Sequence, residues 1–336
     1  MLNKANENNY VVFIPNSVSL EKVYLKYENK YIEFSSNLLD YLDDVYFSDY
    51  IFQRPEGDII GSIVLLIDKH IFPRRYDYER YDDCVFTPKT HPMYIKGVYN
   101  ERIEFSNLKI HKLHYPNESL HIHNFSDNSF TSVVSNRIDA IKYSKFAIKQ
   151  VLSRYLLQNN IYSLHASAVS KENKGYIFMS GSHQGKSTIY SNLLCNGFEP
   201  INDDIVFWNE YENCIELHRC PIVTQTRHHQ ANNLIMHKNY DKQYKPIFNP
   251  QNSTIILDSV FWISKGWDST SINTVVSEKY FKKALRSCGT HQAIPLDDNY
   301  LKSFKKLMSI PCYELRMSSD YNETCECFVS FLKTKY

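Results

Sequence analysis

Hydrophobic and polar positions along this chain change period once, near residue 136. Before that point the apolar runs are short and rich in β-branched and aromatic residues, which predicts strands at 10–14, 23–34, 59–67, 93–98, 103–110 and 120–125. The second run is interrupted by Glu28-Asn29-Lys30, a hairpin signal. Residues 73–83 mix both charges and read as an exposed loop. From Asn136 to Gln158 the spacing becomes three and four: Ile138, Ile141, Ala147, Ile148, Val151, Leu152, Tyr155 and Leu156 share one helical face. Asn136 is its expected N-cap, and the helix is expected to act as the hinge between two halves.

Beyond the helix, the pattern alternates strands with helices. Residues 161–169 form a small-residue strand with His165 at its centre, and Lys171–Gly175 is expected to turn it into a second, strongly apolar strand at 176–179. A loop then opens into a helix over 189–195, with Gly197 as its C′ residue. Further strands are expected at 214–217, 260–264 and 312–317, and helices at 277–287, 296–309 and 322–333. The pattern predicts an α/β domain over 136–336, preceded by a smaller β-rich domain over 1–135.

The loop at 180–188 carries the chemistry. Ser180-Gly181-Ser182-His183-Gln184-Gly185-Lys186-Ser187-Thr188 lies between an apolar strand and a helix, where backbone N–H groups and the helix dipole favour phosphate. Gly181, Ser182, His183, Gln184, Gly185, Lys186, Ser187 and Thr188 would form the nucleotide cradle. Lys186 would reach the β/γ-phosphates, and the Ser187 hydroxyl would ligate Mg²⁺. Ser180 stands where the full pattern has glycine. Yet the chain has only 9 glycines, and two, Gly181 and Gly185, fall within five residues, which argues against a chance match. Downstream, Asp203 and Asp204 are adjacent carboxylates beside a strand. Such a pair is costly unless it meets cations; one would bind Mg²⁺ and the other act as general base toward a hydroxyl.

Composition narrows the partners. A formal net charge of +1 gives no electrostatic case for nucleic acid or a membrane surface. No apolar run of transmembrane length and no signal-like N-terminus is visible. The 8 cysteines lack paired zinc spacing, so free thiols in a reducing cytoplasm are expected. His111, His114, His121 and His123 invite a metal reading, but no Cys, Asp or Glu completes a ligand set, and cross-strand or surface histidines are the better expectation. Arg227-His228-His229 and His237 lie in a segment whose pattern assigns no element.

Leu164-His165-Ala166-Ser167-Ala168-Val169, the Gly185-Lys186-Ser187-Thr188 loop and Asn202-Asp203-Asp204, in this order and spacing, resemble HPr serine kinase/phosphorylase. They are more similar still to the HPr-kinase-like proteins of bacterial peptide-biosynthesis clusters, lasso-peptide kinases among them. The final Ile310-Pro311-Cys312-Tyr313-Glu314-Leu315-Arg316 resembles the last strand of those proteins, and the likeness spans about residues 137–335. It implies a phosphate-loop fold of the phosphoenolpyruvate carboxykinase type. It further implies ATP and Mg²⁺ as cofactors, Lys186 and Ser187 at the phosphates, metal and base duty shared by Asp203 and Asp204, and His165 near the reacting phosphate. It does not extend to the glycine-bearing signature of true HPr kinases, where Glu216-Leu217-His218-Arg219-Cys220-Pro221 stands, and so implies neither phosphorolysis nor HPr as substrate.

The expectation is an ATP-dependent kinase acting on a Ser/Thr hydroxyl of a peptide or protein, with the N-terminal half holding the acceptor. A homo-oligomer is compatible with it. A nucleotide-sensing or scaffold protein with a decayed loop, and a small-molecule hydroxyl kinase, are the alternatives.

Overall fold

The computed structural model describes residues 19–40, 42, 50–67, 85–86, 99–104, 108–114, 119–181, 184–219, 254–275, 278–289 and 298–335. The strands expected at 10–14 and 93–98, the loop at 73–83 and the histidines at 228, 229 and 237 lie outside those residues. The chain divides into two compact units, Met1–Tyr155 and Leu156–Tyr336.

The first unit is a mixed sheet with a helix. Its strands are β1 (Glu21–Tyr27), β2 (Lys30–Ser36), β3 (Tyr50–Ile51), β4 (Ile59–Ile67), β5 (Val85–Phe86), β6 (Tyr99–Glu104), β7 (Leu108–His114), β8 (Ser119–Asn124) and β9 (Ser129–Val134). They lie in the order β3-β1-β2-β4-β9-β8-β7-β6-β5. The expected hairpin is β1–β2, turned at Glu28 with φ 54°. The run at 103–110 is not one strand. It holds the end of β6 and the start of β7, which pair antiparallel with Glu104 opposite Lys109; apolar alternation continues across the reversal, so pattern alone does not mark it.

Helix α1 (Arg137–Gln158) starts at its expected cap: the Asn136 side-chain oxygen accepts the Asp139 N–H at 3.0 Å. The Ala140, Ala147, Ile148, Val151 and Leu152 stripe is buried. Its approach explains Gly61, where a Cβ would stand 2.5 Å from Val151 Cγ1 and 2.7 Å from the Asn128 carbonyl oxygen. Asn128 closes the contact, donating to the carbonyls of Ile60 at 2.8 Å and Val151 at 3.0 Å. These bonds tie the helix to the first unit at Val151, and the division falls after Tyr155, near the end of α1, whereas the pattern put it at the start.

The second unit contains β10 (Tyr162–Leu164), β11 (Ser167–Lys171), β12 (Lys174–Met179), α2 (Lys186–Cys195), β13 (Glu199–Asn202), β14 (Val206–Tyr211), β15 (Cys214–His218), β16 (Ile255–Lys265), β17 (Ser271–Thr274), α3 (Glu278–Gly289), α4 (Asp298–Leu307), β18 (Cys312–Met317) and α5 (Tyr321–Lys335). Strand β17 has no counterpart in the expectations; its four residues, Ser-Ile-Asn-Thr, carry too little apolar pattern to read. The sheet runs β10-β14-β15-β16-β12-β11-β13, with β18 beside the second half of β16 and β17 outside it. β12, β16 and β18 are parallel.

Period-two alternation sorts the core into two layers. Ala168, Ile177, Met179, Val260 and Trp262 face one side with Tyr280 of α3 and Tyr300 and Phe304 of α4. Val169, Tyr176, Phe178, Phe261 and Ile263 face the other, with Ile189 and Leu193 of α2 and Phe328 of α5. Helix α2 ends as expected at Gly197, φ 79°, with the Phe198 N–H donating to the Leu193 carbonyl at 3.2 Å and the Gly197 N–H to that of Leu194 at 3.2 Å.

One expectation is overturned here. His165 is not at the centre of a strand. β10 ladders with β14 on one rim of the sheet and β11 with β12 and β13 on the other. A single strand cannot pair with both rims, so the chain breaks at His165-Ala166. Residues 203–205 make the matching link between β13 and β14. The first link is three peptide steps and the second four, reaching at most about 11 and 15 Å, so these links draw the two rims together at one end of the sheet.

Candidate functional site

Register shows which loops meet at that end. Ser167 opposes Phe178, Ala168 opposes Asn202, and Met179 opposes Trp262. The start of β11 and the ends of β12, β13 and β16 therefore sit at one sheet end, with the His165 link, the loop before α2 and the Asp203-Asp204 turn around them. Residues separated by up to 39 positions in sequence are neighbours because the strands pair as they do.

The loop leaves β12 through Ser180, fully buried, and reaches α2 through Gly185, whose φ is 102°. That left-handed conformation suits glycine. A Cβ there would also meet Met317 Cε at 3.4 Å. With no side chain, Gly185 supplies no cap bond, so the first-turn N–H groups of α2 are not tied to a cap side chain. Lys186 is buried, and its ammonium lies 3.3 Å from the Ser180 carbonyl oxygen, 3.2 Å from that of Gly181 and 3.4 Å from Ser180 Oγ. Ser187 and Thr188 are half-buried on the first turn and Gln184 is exposed, while Ser182 and His183 lie outside the described residues. Ser180, standing in a glycine's place, turns its hydroxyl onto the Gly181 carbonyl at 2.9 Å.

The two aspartates part ways. Asp203 is 4% exposed and accepts a hydrogen bond from the Ser167 hydroxyl; its own N–H donates to Asn202 Oδ1 at 2.8 Å. Asp204 has a half-exposed side chain and a φ of 80°, a conformation that costs a non-glycine residue of order 1–3 kcal/mol. His165 Nδ1 lies 2.8 Å from the Asp204 carbonyl oxygen and 3.0 Å from its Oδ1. Both partners are acceptors, so Nδ1 carries the hydrogen and donates. The imidazole thus clamps Asp204 by backbone and side chain at once.

Ser167 and Asn202 are polar participants that the pattern did not single out. Both are buried in small-residue or strand-like runs, where they read as spacers. The signal available was Ser167 itself, a hydroxyl at an inward position of an otherwise Ala/Val strand.

These residues fit a phosphate with its magnesium. A buried ammonium ringed by carbonyls, an uncapped helix start and one buried, hydroxyl-oriented carboxylate make a suitable donor set. Among the described residues no three His, Cys, Asp or Glu side chains gather as a metal site. Mg²⁺ ordinarily takes only one or two carboxylates beside substrate phosphate and water.

Two histidines of the first unit are different. His121 is buried, with Nδ1 2.8 Å from Ser132 Oγ, Nε2 3.0 Å from Ser119 Oγ, and its ring 4.0 Å from that of Tyr143. His123 Nε2 lies 3.2 Å from Asn128 Oδ1. They are core residues bound to hydroxyls and an amide.

No model of a known protein family matches this chain, and neither does any curated protein. Among solved structures, the HPr(Ser) kinase/phosphatase from Coxiella burnetii aligns over 52% of this chain and 99% of its own, at 13% identity and a TM-score of 0.29. That likeness is too slight to bear on fold or chemistry. Among the described residues no helix is long and apolar enough to cross a membrane.

Proposed function

We propose that this protein is an ATP-dependent kinase that phosphorylates a serine or threonine hydroxyl on a peptide or protein. The observation that carries the reading is the meeting, at one sheet end, of the Lys186 loop with two carboxylates in unlike environments. Bound Mg²⁺ would neutralise phosphate charge and polarise the transferring group. Lys186 binds the phosphates, exchanging its loop carbonyls for phosphate oxygens, and the α2 N-terminus adds N–H donors. Ser187 and Asp203 would hold the metal; Ser167 and Asn202 hold Asp203 in one orientation.

Asp204 is the general base. It is the carboxylate open to an incoming acceptor, and His165 fixes it. It accepts the hydroxyl proton as the acceptor oxygen bonds to phosphorus and the bond to the departing diphosphate breaks. Little covalent chemistry is asked of the protein; orientation and charge supply the rate.

A nucleotide-sensing protein is the second reading, favoured by Ser180, whose buried side chain fills the place of a loop glycine. Thermal unfolding with Mg·ATP separates binding from none. Saturation at one hundred times the dissociation constant should add about 2.7 kcal/mol, and Lys186→Ala should remove that gain with the unliganded melting curve unchanged. No shift with Mg·ATP or Mg·GTP sinks both readings. A shift without phosphate transfer to any peptide pool, read by mass spectrometry, leaves the sensor.

A further inference from the structure

Beside the phosphate loop stands an aromatic shelf that this chemistry does not use. Gly266, φ 93°, ends β16 and turns out Trp267, which is 43% exposed. The Arg316 guanidinium lies over its ring, 4.1 Å from the centroid, and the arginine side chain is 36% exposed.

The pair is held from behind by a closed set of bonds. Trp267 Nε1 donates to Ser264 Oγ at 3.1 Å, and Ser264 Oγ donates to Glu314 Oε1 at 3.4 Å. Arg316 Nη2 donates to Glu314 Oε2 at 3.2 Å, and Glu314 is itself buried. Ser264 and Arg316 are cross-strand partners on β16 and β18. An exposed tryptophan is ordinarily free to rotate; this one is fixed in plane and stacked.

Its position links it to the loop. The Trp267 N–H donates to the Met317 carbonyl at 3.3 Å, and the Met317 side chain is the group that a Cβ on Gly185 would touch. One residue therefore separates the shelf from the start of α2. Flat π and guanidinium faces of this kind stack on nucleobases.

We propose that Trp267 and Arg316 form the nucleobase shelf, taking the purine of the nucleoside triphosphate whose phosphates lie at Gly185 and Lys186. This inference rests on the nucleotide reading above. It differs from it in assigning a source of affinity that phosphate alone cannot use.

Calorimetric titration of the full chain with Mg·ATP and with magnesium tripolyphosphate tests it. Wild type should bind ATP more tightly than tripolyphosphate. Trp267→Leu should weaken ATP about tenfold, the loss expected for one stacked base, and leave tripolyphosphate unchanged. Trp267→Phe should recover most of the ATP affinity. Lys186→Ala should weaken both ligands. If Trp267→Leu leaves ATP binding unchanged, or weakens both ligands equally, the shelf assignment is overturned while the phosphate site stands. If wild type binds neither ligand, the nucleotide reading fails and this inference with it.

Discussion

Two stretches of this molecule put histidine among small polar residues on β-structure, and they come to opposite ends. In the β8–β9 ladder, His121 and His123 lie within continuous strands, buried beside hydroxyls and an amide. In the second unit, His165 lies where β10 gives way to β11, partly exposed, clamping a carboxylate whose backbone is held at positive φ. The difference lies in strand pairing and not in composition. A histidine inside a ladder is enclosed by its neighbours, so its ring bonds settle structure. A histidine at a break between rims is delivered to a sheet end, where charge and strain collect.

The comparison can be broken or sharpened by substitution. The largest effect belongs to Asp204→Asn. With Asp204 as the proposed general base, its loss should cut turnover by about 10³-fold, with Mg·ATP binding nearly intact; a rapid-quench assay alongside a binding titration reads both. Equal loss on Asp203→Asn, but through weakened Mg·ATP binding, would sharpen the division of labour between the two.

A third histidine tests the structural half. His218 Nε2 donates to Asn209 Oδ1 at 2.9 Å, and burial pushes its pKa down to about 4. The folded state thus binds fewer protons than the unfolded state between pH 6.5 and 4, so stability must fall as pH drops through that window. The loss should be about 3 kcal/mol by pH 4, and His218→Gln should flatten the dependence of the urea midpoint on pH. A midpoint equally acid-sensitive in that variant would refute the buried-neutral assignment.

Next comes His165→Ala. Acting through Asp204, it should reduce turnover about 100-fold with the urea midpoint little changed, and His165→Asn, which keeps an N–H donor, should restore part of the rate. Full activity with a lowered midpoint would move His165 into the class of His121. The smallest effect is the mirror image. His121→Ala should cost about 1–3 kcal/mol, from hydroxyls left without their partner, with per-molecule activity preserved in the folded fraction. A turnover defect there would erase the contrast.

Much of this arrangement was legible before any fold was known. Helix α1 with its Asn136 cap, the β1–β2 hairpin, β4, β18 and the Gly197 stop all follow from local rules, because periodicity and turn chemistry act over a few residues. Lys186 and the aspartates could be picked out because loop and carboxylates carry their chemistry in their residue types. Ser167 could not, since a hydroxyl reads the same whether it faces solvent or orients Asp203. The break at His165 was equally hidden: residues 161–169 alternate like one strand, and only the choice of two different pairing partners divides them.

The sequence by itself determined helix α1, the β1–β2 hairpin, β4, β18 and the residue types suited to phosphate. Those are decided within each segment by side-chain volume, polarity and backbone preference. Tertiary structure alone decided that Ser167 meets Asp203, that His165 clamps Asp204 and that Trp267 stands one residue from Gly185. Such contacts depend on which strand ladders with which and in what register, and register is a property of pairs of segments that neither segment carries alone.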